Sequence, residues 1–547
     1  MRSEKGTSPA AKKRFSGVKS WVFVIVTVVL VAGIGATAFG MLKNNNPMAR
    51  YLSAEKNTLE KQMNLMDEFS GDMEEVQEKM LKEAFKTEST IKADVDITEG
   101  GQNLGAMLPM IQGLISSAQL ETTQMLDPET KDTFMAFDLL LQGQSLGNAE
   151  IYQTDEKTAV KVPFLYEKYF SLQNNKLGEL LARSGQPVDM NEIPNLAEYQ
   201  TSGLTAEEAE EIVSDYAIAL VKELESDQFA LEKGVNFEGK ELDKVTVTLS
   251  EEEAKDLITV LVEKMKKDER IWKLFENQLS FNLPEGQAEN AVKEGKSSLD
   301  ELIAGIDQLQ LPEGVKLTAY LDGDLVVNRE IAFDIKPAKD VPTASVALHT
   351  SYAEEDKNSY TSTIDMSVKQ EGEKSSFHVN YQENGKKKEE KWNIEQDIAF
   401  KLTETGESST VSVALSSILA EGNTETTFDV NLEGDAFAGL PVPEIGGYLN
   451  TETKTEKETV NRQVVLGLDL GMKDPMIGPV AGTVEFQVDT ATTFTSDFDF
   501  PELAAENTVN LAETSDQELE SIMKEIENNV QEYYMNMFGS FGGLGSF

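Results

Sequence analysis

Residues 315–335 read VKLTAYLDGDLVVNREIAFDI. Two runs, Val315–Leu321 and Leu325–Ile335, flank Asp322-Gly323-Asp324, a turn sequence that joins antiparallel strands. One face of each run is apolar and the other carries Thr, Lys, Asn or Glu, the alternation of a sheet with one wet face. The same pattern continues downstream. Strands are expected at about 343–352, 360–370, 375–382, 390–402, 408–415, 424–432, 459–470 and 481–497, separated by turn pairs such as Glu371-Gly372, Asn384-Gly385, Thr405-Gly406 and Glu421-Gly422. This is a broad antiparallel meander.

Upstream of Val315 strands mix with helices. Ile91, Ala93, Val95 and Ile97 alternate with Lys92, Asp94 and Asp96, a half-buried strand. Residues 100–126 are ambiguous between helix and loop. Strands are expected at Thr133–Gln142, Ala149–Gln153, Thr158–Val162, Glu241–Leu249 and Gln278–Leu283. Thr205-x-x-Glu208, Ser250-x-x-Glu253, Ser298-x-x-Glu301 and Ser515-x-x-Glu518 each pair a hydroxyl cap with a glutamate three residues on. That pairing satisfies free backbone donors of a first helical turn, so a helix is expected after each. Between 48 and 86, Leu59, Met63, Met66, Met73 and Met80, with Phe69 and Val76, form a helical apolar stripe. Packing on its own domain is the simpler use of that stripe than a coiled-coil stalk, because methionine specifies register weakly.

The N-terminus argues for a membrane. Trp21–Leu42 are 22 consecutive residues without a charge, about 33 Å as a helix and enough to cross a bilayer. Arg2, Lys5, Lys12, Lys13, Arg14 and Lys19 precede it against the single acid Glu4, which keeps that tail cytoplasmic and sends the remainder outward. The competing reading is a signal peptide cleaved after Ala38 at Ala36-Thr37-Ala38. Against it, apolar character continues through Phe39, Met41 and Leu42. Ala32, Ala36 and Gly40 recur every four residues, a spacing that lets two membrane helices approach and dimerise.

The organisation expected is therefore a basic cytoplasmic tail (1–20), a transmembrane helix (21–42), a juxtamembrane amphipathic helix (43–88), an α+β unit (89–285), a helical connector (286–312), an antiparallel β unit (313–505), a C-terminal helix (506–537) and a Gly/Phe tail (538–547). The fold class is α+β, with large antiparallel, curved sheets packed on capped helices.

Composition narrows the chemistry. The formal net charge is −47, from 96 acidic against 49 basic residues, which repels nucleic acid. With no cysteine there is no disulfide, thiolate–metal or thiol chemistry. Gly143-Gln144-Ser145-Leu146-Gly147 matches the G-x-S-x-G of serine hydrolases, where a strand must lead into a helix. Here strand-like sequence follows, and a glycine-rich hairpin is expected. The two histidines, His349 and His378, sit in alternating strand patterns and are expected as strand-surface residues. No cofactor, designed metal site or catalytic residue is expected. The densest aromatic run, Val162–Phe170, contains Phe164, Leu165, Tyr166, Tyr169 and Phe170. It is expected either to close a core or to line an apolar groove between a curved sheet and its helices.

The basic tail, single span, Val162–Leu172 patch, Val245–Leu261 strand-cap-helix and closing Asn507–Ile526 helix resemble single-pass, membrane-anchored extracytoplasmic proteins of Bacillus-type (Firmicutes) bacteria. The architecture is also similar to lipid-carrier lipoproteins of the LolA/LppX type, although the cysteine that anchors those is absent. The expected function is a Gram-positive, membrane-anchored extracytoplasmic binding or scaffolding protein of the cell envelope, not an enzyme. Its partners would be the bilayer through 21–42, an envelope protein or apolar ligand, and a second copy through the span. The alternatives are a lipid or apolar-ligand carrier using the sheet–helix groove and, last, a surface hydrolase at Ser145.

Overall fold

The computed structural model describes residues 46–70, 73–100, 108–183, 191–201, 203–280, 286–336, 341–372, 375–438, 441–474 and 478–540. The expected span 21–42, with Ala32, Ala36 and Gly40, and the Gly/Phe end from 541 lie outside the described residues.

Twenty strands are described. They are β1 Phe85–Gly100, β2 Ala118–Asp127, β3 Asp132–Leu141, β4 Gln144–Gln153, β5 Lys157–Val162, β6 Tyr166–Gln173, β7 Phe229–Phe237, β8 Lys240–Leu249, β9 Val315–Asp322 and β10 Leu325–Ile335. β11 Ala344–Asp356, β12 Ser359–Gln370, β13 Ser376–Lys388, β14 Lys391–Glu404, β15 Glu407–Ala420, β16 Asn423–Gly434, β17 Glu444–Glu456, β18 Thr459–Asp474, β19 Gly478–Phe494 and β20 Thr508–Asn510 follow. Helices are α1 Pro47–Ser70, α2 Met73–Lys82, α3 Leu108–Ser116, α4 Leu177–Arg183, α5 Leu196–Gln200, α6 Ala206–Lys222, α7 Glu251–Lys267, α8 Glu269–Ser280, α9 Gln287–Ile306 and α10 Asp516–Ser540. The protein is α+β, with one large antiparallel sheet and several helices.

All twenty strands belong to that sheet. It runs from β7 through consecutive neighbours to β19, continues through β1 beside β19, and ends at β6, to which β20 adds in parallel. Strands of both expected extracytoplasmic units therefore share one sheet. β7 and β20 each pair on one side only among the described residues, so the sheet is open.

The core is concentrated at the β7 end. There α1, α6, α7 and α9 lie on β7–β12 and bury Leu257, Ile258, Val245, Leu317, Ile331 and Leu348. Helix α1 is fixed at the β9–β10 turn. Arg50 pairs with Asp324 at 2.9 Å, and the Thr58 hydroxyl accepts a hydrogen bond from the Val326 amide at 2.8 Å while donating to the Ala54 carbonyl. The buried Glu55 carboxylate receives Arg329 Nε at 2.8 Å. Burial works against the charge on Arg329, but Glu55 outweighs it and holds the guanidinium pKa above its ordinary value.

The line of α1 and α2 then crosses the sheet. Leu65 and Phe69 pack on Trp392 and Ile394 of β14, and Lys387 pairs with Glu68. Val76 and Met80 of α2 pack on Phe85, Leu126, Val460 and Phe494, from β1, β2, β18 and β19. Phe69, Val76 and Met80 of the expected stripe thus rest on their own domain, while Met63 and Met73 are exposed.

Several local expectations differ from the structure. Asn384-Gly385 is not a turn: β13 runs through it, and the turn falls at Glu389-Glu390, both at positive φ. Gly385 is needed because the Tyr360 ring lies on it, 2.0 Å from where a Cβ would stand. Ser298 does not start a helix, because α9 begins at Gln287 and continues past it. Gln278–Ser280 end helix α8 instead of starting a strand. β17 has no expected counterpart, and within it Gly447 is required where the Phe428 ring and the Gly467 carbonyl close in. The boxes at Thr205 and Ser250 form in full. At Ser515 the hydroxyl accepts from the Glu518 amide at 3.3 Å.

Candidate functional site

Directly paired residues of an antiparallel sheet share a face, so the register sorts every side chain. One row runs Thr451–Val464–Val488–Ile91–Leu120–Leu139 across β17, β18, β19, β1, β2 and β3. The next row out is Leu449–Leu466–Phe486–Ala93, followed by Gly447–Leu468–Val484–Val95 and Ile445–Leu470–Gly482–Ile97. On the other side, Phe400 meets Val411 and Val379, and Val411 meets Leu432. This is the face that the helices cover at the β7 end.

Away from that end α3 lies beside the outer part of β1, with Gln112 and Ser116 bonded to Asp96 and Asp94 of the acidic face, and the apolar rows stay partly exposed. Leu139, Val160, Ile364, Phe400, Leu402, Leu449, Leu470 and Phe486 are each between 38% and 47% exposed, and all eight lie on this one face. Ile418 alone among the exposed large apolar strand residues points the other way.

Towards α2 the same face changes chemistry. A row of Thr453, Arg462, Thr490, Ser89 and Thr122 crosses β17–β2. Beside it the hydroxyls of Thr87 and Thr492 lie 2.9 Å apart. Arg462 Nε is buried and has no hydrogen-bond partner among the described residues. Acidic side chains such as Glu88, Asp94, Glu121, Asp469, Glu485 and Asp489 occupy the opposite face, where the Tyr448 hydroxyl donates to Glu485. That hydrogen bond is the main reason its pKa is pushed up to about 12.

The aromatic residues singled out from sequence do not line one groove. Phe170 pairs with Val160 on the apolar face, while Tyr169 is buried on the other, its hydroxyl on Glu150. Burial first, and Glu150 second, push the Tyr169 hydroxyl well above its ordinary range. Tyr166 stacks on Phe170 at 5.2 Å. Phe164 packs on Tyr533 of α10 at 4.7 Å, and the Leu165 carbonyl accepts from Asn529 at 2.9 Å. Helix α10 thus occupies the place where the groove was expected and leaves a mainly polar cleft of about 570 Å³ beside Glu525, Glu532 and Lys168. Ser145 lies in β4 just past the Gln142-Gly143 turn, its hydroxyl donating to Asp138 at 2.5 Å. Neither histidine serves it: His349 bonds Asn328 and His378 bonds Asp365. Among the described residues no cluster of acidic or histidine side chains could hold a metal ion.

No protein family and no curated protein matches the chain. Solved structures do. Acinetobacter baumannii OccAB4 has a TM-score of 0.24 and 6% identity over 75% of this chain and 98% of that one. A BenF-like porin from Pseudomonas fluorescens has a TM-score of 0.18 and 7% identity over 75% and 98%. Wzi, a carbohydrate-binding outer-membrane β-barrel of Escherichia coli, has a TM-score of 0.19 and 8% identity over 86% and 97%. Likeness of this size carries no functional argument.

These findings correct the expected identity. The neighbours include a porin and an outer-membrane β-barrel instead of single-pass anchored proteins. Among the described residues no helix is long and apolar enough to cross a membrane. The expected single-pass, Gram-positive binding or scaffolding protein at the cell membrane has no support among these neighbours or the described residues and is not carried further. Its companion, a carrier using a groove at Phe164–Phe170, is not carried further either, because Tyr169 and Phe170 face opposite sides of the sheet and the cleft beside α10 is mainly polar.

The candidate site is the uncovered face instead. Sequence reasoning treated each strand's apolar residues separately. The signal it missed was the sum: helices long enough to cover only part of the apolar rows.

Proposed function

We propose that the protein sequesters long apolar chains on the open part of its apolar sheet face. The observation that carries this reading is the gathering of eight partly exposed large apolar strand residues on one face. The rows of Val, Leu, Ile and Phe there offer dispersion and desolvation but few hydrogen-bonding groups, which suits a saturated chain better than a polar segment. Open neighbouring strands give a chain several parallel tracks, so the reading favours tolerance of chain length over discrimination.

Equilibrium dialysis of the full chain against labelled hexadecanol tests this. Saturable binding is expected, weakened by Phe486→Asp and by Leu470→Asp but not by Phe164→Ala. Absence of saturable binding, or equal binding by both aspartate variants, overturns it.

A further inference from the structure

We infer that the open face takes an anionic amphiphile, a long-chain fatty-acid anion, with its carboxylate against Arg462 and the hydroxyls of Thr453, Ser89 and Thr122. The inference rests on the proposed apolar-chain binding and adds the chemistry of the head.

Charge distribution is the first argument. The chain has 96 acidic residues, yet the register places none on the apolar face in the rows from Arg462 to Leu470 of β18, or at the residues paired with them across β17, β19 and β1. Arg462 is the single charged residue there. An anion reaching these rows meets one guanidinium and no like charge.

The second argument is the state of that guanidinium. Its Nε is buried without a hydrogen-bond partner among the described residues. A desolvated donor left unpaired is costly, and a carboxylate presents two oxygens to the guanidinium fork. Neighbouring threonine and serine hydroxyls add neutral donors in the same row. A phosphomonoester would bring about −1.5 to −2 charges to a single cation, in a chain whose net charge is already −47.

The third argument is direction. On one side of the Arg462 row, α2 packs on Phe85, Leu126, Val460 and Phe494 and closes the face. On the other side Val464, Leu466, Leu468 and Leu470 lead outward for about 27 Å at ordinary strand rise. Head and tail positions are thus fixed by the same strand, β18.

Equilibrium dialysis of the full chain at neutral pH, with hexadecanoate, hexadecanol and hexadecyl phosphate, tests the assignment. Arg462→Gln is expected to weaken hexadecanoate roughly ten- to hundredfold and to leave hexadecanol unchanged, while Arg462→Lys keeps most of the hexadecanoate affinity. Equal loss of both ligands, or no loss of hexadecanoate, overturns the head assignment. Tighter Arg462-dependent binding of hexadecyl phosphate overturns the carboxylate. If the unaltered chain binds neither hexadecanol nor hexadecanoate, the apolar-chain reading itself fails.

Discussion

Strands β8 and β9 at one end of the sheet and β18 and β19 further along it carry the same alternation of apolar and polar residues. Val247 and Leu317 are 3% exposed, whereas Leu470 and Phe486 are 45% and 40% exposed. The difference is in what lies above them. Four helices cover β8 and β9, while β18 and β19 meet α2 only at Val460 and Phe494. Covered and open rows are thus placed in different parts of one continuous sheet: apolar rows under helices hold the fold, and the same kind of row left open is where the proposed ligand would lie.

Four predictions can break or sharpen that division. At the covered end Arg329→Met leaves the Glu55 carboxylate buried without its partner and should destabilise the protein by about 3–5 kcal/mol. Pairing it with Glu55→Met should recover most of the loss. Urea unfolding of the full chain gives both values, and a small effect of the single change would mean that α1 is not seated as described.

Ile258→Ala, in the centre of the helix-covered core at 1% exposure, should cost about 2–5 kcal/mol. Phe486→Ala removes a larger side chain but one already wet, and it should cost only about 0.5 kcal/mol. Comparable losses at the two sites would mean that the β18–β19 face is packed against something, and the division would fall.

Between these in size is the Ser250 cap, worth about 1 kcal/mol. The Glu253 carboxyl is held below its ordinary pKa, first by the Ser250 side chain, then by Gln228 and the Ser250 backbone. A depressed carboxyl contributes stability that is complete above the ordinary carboxylate range. That contribution is lost as pH falls through its own lower folded value. Ser250→Ala should therefore cost most at neutral pH, and the gap to the unaltered protein should narrow in strong acid. A gap that widens on acidification would contradict the cap's role.

The local code was readable where one residue decides one event. Thr205 with Glu208 and Ser250 with Glu253 specified helix starts, and Asp322-Gly323-Asp324 specified a hairpin. Alternation at Ile91–Ile97 specified a strand. Failures came where a residue answers to a distant neighbour. Gly385 looks like a turn but makes room for Tyr360, and Gly447, in a strand that had no expected counterpart, makes room for Phe428. Ser298 has the spacing of a cap and lies inside α9, because Gln287–Leu299 already carry a helical apolar face onto Trp272 and the main core.

The site was illegible for a related reason. Arg462 is one cation in an acidic chain until the register shows that no carboxylate shares the rows between it and Leu470. Phe164–Phe170 stand out as the densest aromatic run, yet strand alternation sends Tyr169 and Phe170 to opposite faces. Pairing β1 with β19 assembles the open face, and residues almost 400 apart in sequence meet there.

The most direct test is photolabelling of the full chain with an alkyl alcohol carrying a diazirine near its tail, followed by peptide mapping. The sheet-face account predicts adducts on Leu466–Leu470, Val484–Val488 and Phe400–Leu402, displaced by unlabelled hexadecanol. Adducts confined to Phe164–Phe170 and helix α10, or labelling that hexadecanol does not displace, would contradict it.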